Sequence, residues 1–164
     1  MKKNNETPDW PSLLSKLSKS NFDFLVVGGG ALVLHGIPRA TMDIDIYVPS
    51  DDLILTGLSK LLETELNLKT QKGSSLSLVG QADLLIGQWF TFSIPDGPDI
   101  IDIYICRKGE FYALHESADI IEIDNEPVYV ANLNTLKDMK EKSGRSIDLA
   151  DIALIEEYKK LFDS

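Results

Sequence analysis

The sequence predicts a single α/β domain. An apolar run of strand character at residues 24–27 meets three consecutive glycines, Gly28, Gly29 and Gly30. Residues 42–48 alternate strictly, and in 99–106 Ile101, Ile103 and Ile105 share one face opposite Asp102, the period of a strand with one buried face. Stretches at 10–17, 51–66 and 147–161 place apolar side chains about one helical turn apart, as helices packed on a sheet do.

Taken in order, Asp9 caps a first helix with Pro11 in its first turn and Trp10, Leu13, Leu14 and Leu17 as its apolar stripe, which should pack on the sheet. The strand at 24–27 then breaks at the glycines. A short helical segment, 31–34, follows and stops at Gly36 and Pro38, where glycine supplies a cap and proline forbids continuation. In the next strand Ile44 and Ile46 share one face while Asp43 and Asp45 share the other, about 7 Å apart at a rise of ~3.3 Å per residue. Two like charges so placed raise each other's cost of ionisation, and a divalent cation relieves it. Mg²⁺ is the expected ion, with Mn²⁺ as the alternative, because it takes oxygen ligands and is commonly held by one or two carboxylates plus substrate phosphates. The glycines upstream let backbone N–H groups approach a phosphate. Arg39 and Thr41, lying between glycines and carboxylates, complete a candidate nucleotide-binding set.

The pattern Gly28-Gly29, short helix, Arg39-Ala40-Thr41-Met42-Asp43-Ile44-Asp45 resembles the signature of the polymerase-β-type nucleotidyltransferase superfamily. Within it the likeness is to the small bacterial group of AbiEii-like toxins and minimal nucleotidyltransferases. The resemblance implies a short mixed β-sheet flanked by helices, an NTP substrate, a catalytic metal, and a third Asp on a strand beside the first two.

Downstream, Ser50 is the expected cap of a helix over 51–66 that buries Ile54, Leu58, Leu61, Leu62 and Leu66. Residues 69–77 are polar and glycine-bearing and read as a loop, with Lys69 and Lys72 solvated. Strands at 88–94 and 99–106 flank Pro95-Asp96-Gly97-Pro98 and form a hairpin. Asp102 lies within the second arm, opposite the face of Ile101, Ile103 and Ile105, where a lone carboxylate is expensive. That cost selects Asp102 over Asp99, which can face water from the turn, as the third metal ligand; under the resemblance it would also help deprotonate the incoming hydroxyl. Residues 107–114 suit a short helix or a loop. Strands at 119–124 and 127–131 flank Asn125-Glu126 as a smaller hairpin. A helix follows over 132–142, closed by Ser143-Gly144, and Ser146 caps a last helix over 147–161, with Leu149, Ile152, Ala153, Ile155, Tyr158 and Leu161 available for burial.

This last region carries a second resemblance: Leu136, Lys140, Arg145, Asp148 and Asp151 stand at the spacing of the family's C-terminal tail. It implies that Lys140 is a cation for nucleotide phosphates and that Asp148 and Asp151, three apart on one helix face, orient Lys140 or Arg145 by salt bridges. A surface ion network joining the two helices is the alternative.

The formal charge of −10 leaves no generally basic surface, the usual footprint of broad nucleic-acid binding, so a small-molecule or protein acceptor fits more easily. No apolar run reaches the ~20 residues of a membrane span, and MKKNNETPDW has no secretory apolar region, so the expected compartment is the cytoplasm. A single cysteine, Cys106, excludes an internal disulfide and a cysteine-rich zinc site and is read as a small buried hydrophobe. His35 and His115 stand in unrelated contexts, without a Ser-His-Asp order or an HExxH spacing.

The expected function is therefore Mg²⁺-dependent transfer of an NMP from an NTP to a hydroxyl on a small molecule, RNA or protein. Asp43, Asp45 and Asp102 are the catalytic and metal-binding residues, and Gly28, Gly29, Arg39, Thr41 and Lys140 bind the nucleotide. The alternative is a non-catalytic or partner-dependent toxin–antitoxin or regulatory module. Beyond a core at about 20–106 and a helical tail at about 132–163, little chain is left for an acceptor domain, so a homodimer interface or a small protein partner is expected to help bind the acceptor.

Overall fold

The computed structural model describes residues 9–70 and 81–162. In chain order the elements are α1 (Trp10–Lys19), β1 (Leu25–Val27), α2 (Gly28–Leu34), β2 (Ile44–Pro49), α3 (Asp52–Ser59), β3 (Lys69–Thr70), β4 (Trp89–Ser93), β5 (Asp99–Cys106), α4 (Lys108–Glu116), β6 (Asp119–Ile123), β7 (Glu126–Val130), α5 (Leu133–Ser143) and α6 (Ser146–Phe162). The strands form one mixed sheet in the order β3-β4-β5-β2-β1-β7-β6. Its centre is antiparallel between β1 and β2 and parallel between β2 and β5, with β4 returning antiparallel to β5. This is the α/β class expected, with six α-helices flanking a seven-stranded sheet among the described residues.

The alternating strands fold as their pattern dictates. Ile44, Ile46 and Val48 of β2 and Ile101, Ile103 and Ile105 of β5 are completely buried, while Asp45, Tyr47, Asp102 and Tyr104 are half-buried on the opposite face. Helix α1 starts where Asp9 accepts the Ser12 N–H at 2.7 Å and buries Leu13, Leu14 and Leu17. It docks against the small hairpin, where Ser18 Oγ donates to the Pro127 carbonyl at 2.6 Å. Cys106 is buried, and that burial pushes its thiol up to about 11, in keeping with a packing role.

Several boundaries differ from expectation. The three glycines are not a separate turn: Gly28, at φ +68°, redirects the chain in one residue, and α2 begins at once. Asp51 rather than Ser50 caps α3, accepting the Ile54 N–H at 3.1 Å, because Ser50 Oγ instead donates to Asp83 at 2.9 Å. That helix continues through a π-helical stretch, Lys60–Glu65, and buries Leu55 along with Leu58, Leu61 and Leu62, while Ile54 and Leu66 are half-buried. Lys69 and Thr70, expected in a loop, pair with β4 as β3. The rest of that expected loop, Lys72 included, lies outside the described residues. Residues 107–114 fall mostly in α4. The small hairpin turns at Asp124 and Asn125, both with positive φ, one residue earlier than expected, the geometry that a two-residue connection between twisted strands needs. Through Val26 and Val130 that hairpin joins β1 and widens the sheet.

Helix α6 departs most. Ile155 is buried, but Leu149 and Leu161 are exposed, and the most buried positions besides Ile155 are Asp148 and Asp151. Ser146 opens the helix, and it is the Asp148 carboxylate that receives the Arg145 N–H, at 3.2 Å. Residues 148, 151 and 155 lie on one helical stripe, and cations from outside α6 make it a better stripe to bury than the apolar one.

Candidate functional site

The site follows from strand register. Because β2 and β5 run parallel with Asp45 beside Asp102, and Thr91 of β4 pairs with Asp102, one row across the sheet reads Thr91, Asp102, Asp45. Asp43 lies one residue ahead of β2 and reaches back toward this row. Carboxylate oxygens of Asp43, Asp45 and Asp102 all lie within 4.8 Å of one another. Thr91 Oγ1 donates to Asp102 Oδ1 at 2.5 Å, and Thr41 Oγ1 donates to the Asp43 carbonyl at 2.8 Å, fixing the loop that carries it.

Electrostatics shows what the cluster lacks. Burial first, then the neighbouring Asp102 and Asp43, pushes the Asp45 carboxyl up to about 7, with Lys140 pulling the other way. Asp43 is raised for the same reasons, burial leading and Asp102 next. Three oxygen donors that repel one another are a hard-cation donor set, and they fit the expected Mg²⁺ or Mn²⁺ by chemistry and spacing.

The tail closes over this face. Lys140 of α5, only 7% exposed, places Nζ 2.7 Å from Asp151 Oδ2 and 3.7 Å from Asp148 Oδ1. Asp151 Oδ1 receives Arg39 Nε at 2.9 Å, so one carboxylate holds a cation from the head of the chain and another from the tail. Arg145 Nε donates to Asp148 Oδ2 at 2.9 Å, and this bond holds the Asp148 carboxyl down at about 2. The network is buried at its centre rather than a surface one. Gly28 lies against Asp45, since a Cβ there would stand 2.4 Å from Asp45 Oδ2; at Gly29 a Cβ would stand 1.5 Å from Arg39 Nη1. Each glycine thus makes room for a charged side chain.

Two cavities meet at these residues. One of about 490 Å³ is lined by Asp45, Trp89, Thr91, Asp102, Ser143 and Arg145. The other, about 200 Å³, extends from Gly28 past Asp45 and Lys140 to Tyr47 and Trp89. Of the residues singled out in the sequence, Gly28, Asp45, Asp102, Leu136, Lys140, Arg145 and Asp148 line these cavities, and Asp43 joins them through its carboxylate. Gly29, Arg39 and Thr41 are not among the lining residues: the first two pack on each other, and Thr41 braces the Asp43 loop. The sequence reading does not single out Thr91, Trp89, Tyr47 or Tyr104, and only for the two tyrosines does the sequence carry a signal. Asp45-Ile46-Tyr47 and Asp102-Ile103-Tyr104 are the same tripeptide, and in-register pairing brings both Asp and both Tyr side by side. His35 is engaged elsewhere, with Nε2 2.8 Å from the Ala131 carbonyl oxygen, and His115 stacks between Phe111 and Tyr129.

No family model matches the chain, and no curated protein sequence matches it significantly. Solved structures do share the fold. An antigenic nucleotidyltransferase-like protein from Paracoccidioides brasiliensis superposes with a TM-score of 0.55 at 18% identity, over 89% of this chain and 72% of that one. A candidate nucleotidyltransferase from Thermotoga maritima gives 0.54 at 16% identity, over 99% of this chain and 100% of its own. ANT(2″)-Ia, solved in complex with adenylyl-2″-tobramycin, gives 0.54 at 14% identity, over 87% and 83% of the two chains. The fold is that of nucleotidyltransferase-like proteins. Among the described residues no helix is long and apolar enough to cross a membrane.

Proposed function

We propose that this chain is a metal-dependent nucleotidyltransferase, acting as a single unit, that moves an NMP from an NTP to a hydroxyl acceptor. The observation that carries the proposal is the convergence of the Asp43, Asp45 and Asp102 carboxylates within 4.8 Å on a fold of the nucleotidyltransferase-like kind. Asp43, Asp45 and Asp102 would hold Mg²⁺, which when bound neutralises triphosphate charge and polarises the phosphoryl oxygens. The chain itself supplies position and charge. The backbone at Gly28 approaches the phosphates, and Lys140, braced by Asp151 and Asp148, faces them with positive charge. Arg39 lends its charge from above Gly29. The acceptor oxygen attacks the α-phosphorus in line, forming the new P–O bond while the bond to the bridging oxygen of the β-phosphate breaks and pyrophosphate leaves. Asp102, oriented by Thr91, takes the proton of the acceptor hydroxyl.

A small hydroxyl-bearing molecule is the first acceptor class to test, since the structure of ANT(2″)-Ia contains an adenylylated one. The deciding experiment is calorimetric titration of each NTP with Mg²⁺ and with EDTA, on wild type and on the Asp43→Ala/Asp45→Ala variant. Magnesium-dependent binding that the variant loses is the expected result; no binding of any NTP would overturn the proposal.

The alternative, a partner-dependent toxin–antitoxin or regulatory module, has one feature in its favour: α6 exposes Ile147, Leu149, Leu161 and Phe162. Co-purification with a small protein, together with failure to bind NTP alone, would favour it.

A further inference from the structure

Two residues along from the carboxylate row, the same face carries a second row. Trp89 of β4 pairs with Tyr104 of β5, which pairs with Tyr47 of β2. Ring centroids are 5.0 Å apart between Trp89 and Tyr104, 4.8 Å between Tyr104 and Tyr47, and 6.1 Å between Tyr47 and Trp89. The rings are inclined to one another by 42–67°, a tilted aromatic cluster in which Trp89 is 51% exposed and Tyr47 and Trp89 line the smaller cavity. The two rows are about 7 Å apart, two residues at the rise of a strand.

We propose that this aromatic row is the platform on which the base of the nucleotide stacks. The inference rests on the nucleotidyltransferase reading and names the part of the site that recognises the nucleoside. Direction along the strands supports it. Gly28 stands at the Asp45 end of β2, where β1 ends antiparallel to it, and the aromatic row lies on the far side of Asp45. A single cavity touches Gly28, Lys140, Asp45, Tyr47 and Trp89, so one ligand can reach from the glycine end to the tryptophan. That ligand needs phosphates at one end and a planar ring at the other, with a ribose-sized spacer across the gap between rows. Leu136 and Met139 of α5 line the same cavity and supply an apolar wall facing the rings, as a sandwiched base requires. Stacking accepts any base, because every base has a π-face, so the row selects a nucleotide over a bare polyphosphate without reading its sequence edge.

The test compares Mg²⁺–ATP and the other three NTPs with Mg²⁺–tripolyphosphate, which carries the phosphates and no base, by calorimetry and tryptophan fluorescence. The chain has two tryptophans, and a Trp10→Phe background leaves Trp89 as the single reporter. The expected result is that NTPs quench Trp89 emission and tripolyphosphate does not. Trp89→Leu should weaken NTP binding roughly ten- to hundred-fold, the size of one base–aromatic stack, leave tripolyphosphate binding unchanged, and be largely rescued by Trp89→Phe. Equal weakening of both ligands, or no weakening of either, overturns the platform. Tripolyphosphate binding as tightly as NTP to wild type overturns the platform and spares the transferase reading, whereas binding of neither overturns both.

Discussion

Two groups of carboxylates lie under the same roof of this protein and behave in opposite ways. Asp43, Asp45 and Asp102 face one another across the central strands, and Asp45 is driven up to about 7. Asp148 and Asp151 are more deeply buried, yet Asp148 is held down at about 2. Burial raises both groups and leads at Asp45, but at Asp148 counter-charge outweighs it: Asp148 and Asp151 have Lys140, Arg145 and Arg39 on their oxygens, while Asp45 has like-charged Asp102 and Asp43 beside it. One cluster has had its cations built in by the chain; the other has the spacing of a set that could hold a cation. Carboxylates held by cations are structure, and those converging at a cavity without one are a candidate site.

The sharpest break of that contrast is removal of Asp45. Asp45→Ala should lower nucleotidyl transfer by a factor of a thousand or more, an order expected when a metal-holding carboxylate is lost, while urea unfolding shows stability equal to wild type or higher. Wild-type turnover in this variant would sink the assignment. Asp151→Ala should do the reverse, costing about 3–5 kcal/mol of stability by leaving Lys140 and Arg39 without their shared partner; equilibrium denaturation measures it.

The pH dependence has two limbs with opposite signs. Asp45 is raised, so in EDTA its contribution to stability is complete below about pH 4 and is lost as pH rises through about 7, on the order of a few kcal/mol at most. Asp45→Asn should flatten that limb, and Mg²⁺ should restore stability at pH 8 in wild type alone. Asp148 is lowered, so its contribution is complete above pH 4 and is lost as pH falls toward 2; Arg145→Ala should shrink this acid limb. Melting curves from pH 2 to 9 with and without Mg²⁺ read both. The smallest effect is at Gly29→Ala, where the new methyl displaces the Arg39 guanidinium; a stability loss of about 1–2 kcal/mol and a modest loss of NTP affinity are expected.

What the sequence made legible was local and periodic. The alternation in Asp99–Cys106 placed Asp102 on the polar face, and the strand has the expected bounds. Asp9 and Gly144 punctuate α1 and α5 through their own chemistry, with Gly144 in the left-handed region at φ +66°, whereas Asn132, read as the first helical residue, caps α5 instead. What was not legible depended on strand order and on partners distant in sequence. Trp89 and Thr91 become part of the site only because β4 lies beside β5. The burial of α6 inverted its apolar pattern because Lys140 and Arg39 arrive from other elements to meet Asp148 and Asp151. Ser50 lost its cap to Asp51 through a hydroxyl bond to Asp83, more than thirty residues away in sequence.

The parallel register of β2 and β5 has a consequence for folding fidelity. A slip of one residue would turn Asp102 into the layer now filled by Ile101 and Ile103 and bring isoleucine to the cavity, since successive side chains face opposite ways. A desolvated carboxylate among isoleucines costs several kcal/mol, so the misaligned pairing is disfavoured during assembly by the same side chain that lines the cavity. Asp102 acts as a proofreader of the sheet: a chain that has folded at all has already set its three carboxylates in place.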